Sequence, residues 1–200
     1  MNSNLAKINK KLICVTIGDI EGIGIHILLK EFKKGNIKNF ILITNINIFK
    51  KHIKYPDNKI NLINDKSFNN FDKNKLNIIS YKTNNKNSNT MDSLEFAYKL
   101  TKNKKFIGII TLPLNKYKIK KVVNKNFIDQ TSFFSKKEKE KYSNMVFYHK
   151  KNFFIPLTIH IEIKKVYKSF QNKIMMSKKI ENLYYTLVND FNITKPKMIL

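Results

Sequence analysis

Three stretches of this chain, 12–17, 40–44 and 106–112, are apolar at nearly every position. Short apolar runs without polar alternation read as strands covered on both faces, the habit of parallel sheets sandwiched between helices. Two weaker candidates lie at 60–63 and 76–81. Between the runs the apolar spacing changes to a helical period. A helix is expected over 22–34, stopped by Gly35, and another over 91–102, capped by Thr90, with Leu94, Ala97 and Tyr98 on one face. A third is expected over 177–191, where Ile180, Leu183, Tyr184, Leu187, Val188 and Phe191 recur at three- and four-residue steps until Asn192. Segments 145–148 and 153–163 read as strands, 136–141 as a solvated charged stretch, and 197–200 as the start of a further core strand. Strands alternating with helices give an α/β fold with a largely parallel sheet and flanking helices. We expect an N-terminal α/β lobe over 1–128 and the beginning of a second over 129–200, with no internal repeat.

Composition removes several functional classes. With 42% hydrophobic residues in 200, the chain can bury a core and is not disordered. Its apolar runs are too short to span a bilayer, and the run at 12–17 is broken by Gly18-Asp19 too soon for a secretory signal. The single cysteine, Cys14, excludes an internal disulfide framework and a cysteine-cluster zinc site. A cytoplasmic protein without a membrane partner is expected. The formal charge of +25 would ordinarily suggest a polyanion partner, yet all 39 basic residues are lysine. They are spread along the whole chain, together with abundant Asn and Ile, as an AT-rich coding sequence would dictate. Arginine, which reads guanine by paired hydrogen bonds, is absent. These facts argue against nucleic acid as the partner. A basic nucleic-acid-binding module stays as an alternative, marked by tight and salt-dependent binding to duplex DNA.

Four segments carry chemistry. In Thr16-Ile17-Gly18-Asp19-Ile20-Glu21-Gly22-Ile23-Gly24 a strand runs through a glycine turn into a helix. Gly18, Gly22 and Gly24 allow close backbone approach, and helix N–H groups favour anions, so this turn with Asp19 is a candidate ligand-handling element. It lacks a phosphate-loop or full dinucleotide fingerprint, and a plain strand–helix turn would use the same residues. Thr111-Leu112-Pro113-Leu114-Asn115-Lys116 follows the clearest strand, where open α/β sheets bind ligands. Asn115 and Lys116 there could hold a phosphate or carboxylate, or form a solvated turn. Asp129-Gln130-Thr131-Ser132-Phe133-Phe134 suits either phosphate hydrogen bonding or a helix cap. Lastly, strand alternation would place Thr158, His160 and Glu162 on one face. His160 is a candidate metal ligand, but one histidine makes no site, and His26, His52 and His149 have no ligand spacing to it. No residue declares itself as a catalytic acid, base or nucleophile.

In order, these segments resemble the 4-hydroxythreonine-4-phosphate dehydrogenase family of pyridoxal phosphate biosynthesis. The family's Gly-Asp-Pro-Ala-Gly-Ile-Gly-Pro-Glu resembles Gly18 to His26, and its Thr-x-Pro-x-Asn-Lys resembles Thr111 to Lys116. Its Gly-His-Thr-Glu-Phe-Phe resembles Asp129 to Phe134, and its Thr-Thr-His-Leu-Pro-Leu resembles Thr158 to Ile163. The resemblance spans essentially the whole chain. It implies the two-lobed architecture of the isocitrate and isopropylmalate dehydrogenases, of which this chain is the N-terminal portion. It also implies NAD(P)-dependent oxidation and decarboxylation of 4-(phosphooxy)-L-threonine, assisted by a divalent zinc, magnesium or cobalt ion. The expected partners are that phosphorylated small molecule and, for the complete family protein, a second copy in a homodimer.

By the resemblance His160 falls on the first metal ligand, and Gln130 and Thr131 on a paired substrate-contacting His-Thr. This chain departs from the pattern at several points. Gln130 replaces the histidine, and a carboxamide donates a hydrogen bond but does not exchange protons near neutrality. Asp129 replaces glycine beside an anionic substrate, while Ile25 and His26 replace Pro and Glu. The family's second and third metal histidines and later substrate-gripping residues would follow Leu200. The 200-residue chain is therefore expected to lack dehydrogenase activity, whether a partial sequence or a truncated product. A non-catalytic relative with a binding or structural role is the alternative.

Overall fold

The computed structural model describes residues 11–66, 68–83, 86–123, 125–140, 143–150, 152–159 and 161–199. Contacts divide the chain into two units, Met1–Gln130 and Thr131–Leu200.

The first unit is built on a five-stranded parallel sheet. Its strands are β1 (Leu12–Thr16), β2 (Phe40–Ile43), β3 (Ile60–Leu62), β4 (Leu76–Ile79) and β5 (Phe106–Thr111), in the spatial order β3-β4-β2-β1-β5. The three apolar runs are the adjacent strands β2, β1 and β5, as their lack of alternation required. Period-two geometry sends their side chains to opposite faces. Val15, Leu42 and Ile78 pack with Ile25, Leu28 and Leu29 of helix α1 (Ile23–Lys33) and with Phe49 of α2 (Ile46–His52). Cys14, Ile41, Ile43 and Ile79 pack on the other face with Ala97 and Leu100 of α3 (Lys86–Thr101), joined by Phe68 and Phe106. The largely parallel sheet read from sequence is therefore wholly parallel in this unit.

Helix α1 ends where expected, for the expected reason. Gly35 adopts φ +76°, its N–H bonds to the Phe32 carbonyl at 2.9 Å and the Asn36 N–H reaches the Glu31 carbonyl at 3.0 Å. This paired closure satisfies carbonyls that the helix end would otherwise leave open. Helices α2 and α4 (Lys116–Val122) were not anticipated from sequence. Both are short, and each depends on an asparagine cap: Asn45 Oδ1 accepts from the Ile48 N–H, and Asn115 Oδ1 from the Lys118 N–H, both at 3.0 Å.

The expected start of α3 is wrong. Thr90 lies inside the helix rather than capping it, because α3 begins at Lys86 and turns Asn89, Thr90 and Ser93 inward. Their tertiary hydrogen bonds offset the weak helix preference of these residues.

The second unit contains α5 (Gln130–Glu138), whose first residue closes the first unit, then a hairpin of β6 (Phe147–His149) antiparallel to β7 (Asn152–Phe154). Helices α6 (Ile163–Gln171) and α7 (Lys173–Asn189) follow. Met176, Leu183 and Leu187 of α7 are buried, and Phe153 meets Phe191 edge-on at 5.1 Å. Asn192 at φ +56° ends the helical segment, as its sequence position suggested.

Two strand expectations fail here. The strand read over 153–163 stops at Phe154, since Pro156 has no N–H for a ladder and Glu162 instead opens α6. Thr158 and Glu162 are consequently not neighbours on a strand face. The described residues of 197–200 also form no strand, having no partner strand among the described residues.

Candidate functional site

From β1 the chain winds outward to β2 through α1 on one face of the sheet, and it returns to β5, on the other side of β1, through α3 on the opposite face. That reversal of strand order creates a crevice at the carboxyl ends of β1 and β5, the place where open α/β sheets accept ligands. Two of the sequence motifs meet there. Gly18 has φ +63°, and a Cβ on it would collide with the Pro113 carbonyl and lie 2.9 Å from that of Leu112. A Cβ on Gly24 would lie 2.7 Å from Pro113 Cδ. The Asp19 N–H donates to the Pro113 carbonyl at 2.9 Å. Gly18 and Gly24 thus serve the close packing of one loop on the other, while Gly22 is the extended N-cap of α1 and donates its N–H to the Asp19 carbonyl at 2.9 Å.

Acidic side chains on the first loop are already engaged. Lys118 Nζ, on α4, lies 3.3 Å from Asp19 Oδ2 and 2.8 Å from Glu21 Oε2. These contacts, led by the hydrogen bond to Glu21, raise the Lys118 pKa above the ordinary lysine value. Glu21 Oε1 also stands 3.9 Å from His52 Nε2. Asn115 spends its side-chain oxygen as the cap of α4, whereas Lys116 is exposed at the first turn of that helix. Of the residues read as ligand-handling, the structure therefore brings Gly18, Asp19, Gly24 and Asn115 together with Lys118. It gives most of them structural partners.

A polar layer beneath the crevice was missed in the sequence. The Thr90 hydroxyl donates to the Gly18 carbonyl at 2.7 Å. Ser93 Oγ accepts from the Ile17 N–H at 3.1 Å and donates to the Ile43 carbonyl at 2.6 Å. Asn89 accepts from the Asn45 N–H at 3.1 Å and from the Tyr81 hydroxyl at 2.7 Å. Burial holds the Tyr81 phenol well above the usual tyrosine range, so it remains a proton donor. The available signal was three polar residues at i, i+1 and i+4 on the side of α3 that also carries Leu94 and Ala97.

Gln130 is half-buried and Thr131 exposed in the first turn of α5. The expected metal ligand, His160, lies outside the described residues. Among the described residues, no three His, Cys, Asp or Glu side chains form a group able to hold a metal ion.

Residues 36–200 match the family model described as pyridoxal phosphate biosynthetic protein PdxA. The chain belongs to the PdxA family. The matched span includes Thr111–Lys116, Gln130, Thr131 and the position of His160, while the Gly18–Gly24 turn precedes it. A solved structure assigned as a 4-hydroxythreonine-4-phosphate dehydrogenase from Salmonella typhimurium superposes with a TM-score of 0.79 at 18% identity. The alignment covers 94% of this chain and 62% of that one, so the two share a fold across nearly all of the present sequence. No curated protein sequence matches this chain.

Proposed function

We propose that the protein carrying this chain is a 4-hydroxythreonine-4-phosphate dehydrogenase of pyridoxal phosphate biosynthesis. In that reaction C3 of 4-(phosphooxy)-L-threonine gives its hydrogen as hydride to NAD(P)+ while the C3 hydroxyl loses its proton to solvent, leaving a ketone. The β-keto acid then loses carbon dioxide to leave 3-amino-2-oxopropyl phosphate. The PdxA family match over 36–200 carries this reading, and the shared dehydrogenase fold supports it. Because the chain spans 62% of its structural neighbour, the activity is proposed for the whole protein. The cytoplasm is the proposed location and a homodimer the proposed assembly. We expect a polypeptide of these 200 residues alone to be inactive.

Within this reading, Thr131 is exposed at the start of α5 and offers a hydroxyl to the substrate. Gln130 beside it orients the substrate by hydrogen bonding without moving a proton. Lys116 is the exposed cation of the β5–α4 turn and suits an anionic substrate group, whereas Lys118 is held by Asp19 and Glu21. His160 is the proposed metal ligand; a bound divalent ion would supply Lewis-acid polarisation of the reacting oxygen. Among the described residues, no group of His, Cys, Asp or Glu side chains completes its coordination.

The test is reduction of NAD or NADP by the full-length protein with 4-(phosphooxy)-L-threonine and added zinc, magnesium or cobalt. His160→Ala is expected to weaken metal binding by about tenfold to a hundredfold or more, with turnover falling at least as far. Turnover indifferent both to metal and to His160→Ala would overturn the site assignment. Substrate binding without any turnover would favour a non-catalytic relative, the reading that Gln130 and Asp129 support.

A further inference from the structure

One peptide group in the crevice is fastened at both of its polar ends. The Gly18 carbonyl accepts from the Thr90 hydroxyl at 2.7 Å, and the Asp19 N–H of the same peptide donates to the Pro113 carbonyl at 2.9 Å. One anchor comes from α3, the other from the turn after β5. The group cannot rotate without breaking both bonds, and Gly18 keeps its φ of +63°. Thr90 is 8% exposed and lies 72 positions from its acceptor along the chain. A threonine inside a helix often returns its hydroxyl to a carbonyl of the preceding turn. Here the proton goes to a different loop, a contact that alanine, the better helix former, would not supply.

The fastened peptide leads directly into the charged side chains of the crevice. Asp19 and Glu21 hold Lys118 Nζ at 3.3 and 2.8 Å, and with Thr90 and Asn115 these residues border one small hollow. Lys116, at the first turn of the same helix, stays exposed. A peptide released from Thr90 lets the Asp19 carboxylate leave Lys118 and compete for Lys116, the cation available to an anionic substrate. Binding would then also have to order the loop. We propose that Thr90 is a positioning residue: by holding the Gly18–Asp19 peptide it keeps the Asp19 carboxylate on Lys118 and clear of the substrate's anionic group. It acts through that peptide and not on the reacting atoms. For the substrate the inference rests on the dehydrogenase reading; for the peptide it rests on the crevice geometry.

The experiment makes two measurements on the full-length protein: hydrogen exchange at the Asp19 amide, and KM and kcat for 4-(phosphooxy)-L-threonine. Thr90→Val keeps the shape of the side chain and removes the hydroxyl, whereas Thr90→Ser keeps the hydroxyl. Thr90→Val is expected to speed exchange at Asp19 by about tenfold and to raise KM by about as much. Its kcat is expected to stay within about twofold, since the loss falls on binding. Thr90→Ser should restore both readouts. If Thr90→Val does not fold, Thr90→Ala replaces it, removing the hydroxyl while improving the helix. The control is Asn77→Ala, which deletes another buried polar side chain, bonded to the Asp72 and Lys75 carbonyls on β4. It should lower stability while leaving Asp19 exchange and KM in place. The proposal is overturned by Asp19 exchange that ignores the loss of the hydroxyl, or by an equal response to Asn77→Ala. It is also overturned if Thr90→Ser fails to restore, or if exchange quickens in an active enzyme whose KM is unchanged. A wild type that binds no substrate and shows no turnover refutes the dehydrogenase reading alone, and Asp19 exchange then decides the role of Thr90.

Discussion

Cys14 shows how much one residue's environment decides. It sits in the middle of β1, fully enclosed between Ile41, Ile43 and the residues of α3, and burial pushes its thiol pKa up from 9.0 to about 12. Between those values the unfolded chain gives up a proton that the native chain keeps. The native state then binds more protons, so stability falls as pH rises through this window and is untouched by Cys14 below it. The wild type should lose about 1 kcal/mol per pH unit more than Cys14→Ala between about pH 9 and pH 11. Urea unfolding of both proteins across that range measures the difference; parallel curves would refute the burial argument. Lys118 adds to the alkaline loss, since its raised pKa makes its ion pairs present below the ordinary lysine value and lost as pH climbs past the folded one.

At the scale of single elements, α3 is a helix defined by what it holds rather than by what it prefers. Its inward Asn89, Thr90 and Ser93 bond to three different chain segments, and Ser93 alone serves both the Ile17 N–H and the Ile43 carbonyl. Removing that hydroxyl strands a buried donor and acceptor, which costs more than the bond itself contributes. Ser93→Ala should lower the unfolding free energy by about 1–3 kcal/mol in urea titrations. Ser169→Ala, which removes only an exposed hydroxyl bonded to the Lys165 carbonyl, should change it by less than about 0.5 kcal/mol.

The same helix marks the limit of what the sequence made legible. β1, β2, β5 and α1 could be read directly because burial on both sheet faces and a glycine stop leave a local trace. The true start of α3 could not, since apart from the nearby Tyr81 hydroxyl its inward polar residues are satisfied by groups 44 to 76 positions away. Helices α2 and α4 escaped because each is one asparagine cap followed by a short run. Among candidate site residues, Asp19 and Asn115 were visible as motif members, but Lys118, which joins the loops, was hidden as one lysine among 39.

For the whole molecule, the two units are unequally built. The first has apolar clusters on both faces of its sheet, while the second buries Met176, Leu183 and Leu187 along one helix. A smaller core leaves less apolar area to oppose chain entropy, so the second unit should open more readily. Lysines occur throughout both, and a lysine-specific protease will therefore report opening rather than cleavage-site supply. Brief digestion should cut first within 131–200 and leave a fragment containing residues 11–130; first cuts inside the parallel sheet would reverse this ranking.

The seam between the β1–α1 and β5–α4 loops is made chiefly of main-chain atoms: the Asp19 amide, the Pro113 carbonyl and the bare α-carbon of Gly18. Peptide groups are the same in every codon. Apart from Gly18, where any Cβ would meet the Pro113 carbonyl, a joint written in them depends little on which side chains the mutational pressure toward lysine, asparagine and isoleucine supplies. Such independence is a physical route by which a nucleotide-biased genome can rewrite most of a protein's surface while its ligand crevice keeps its shape.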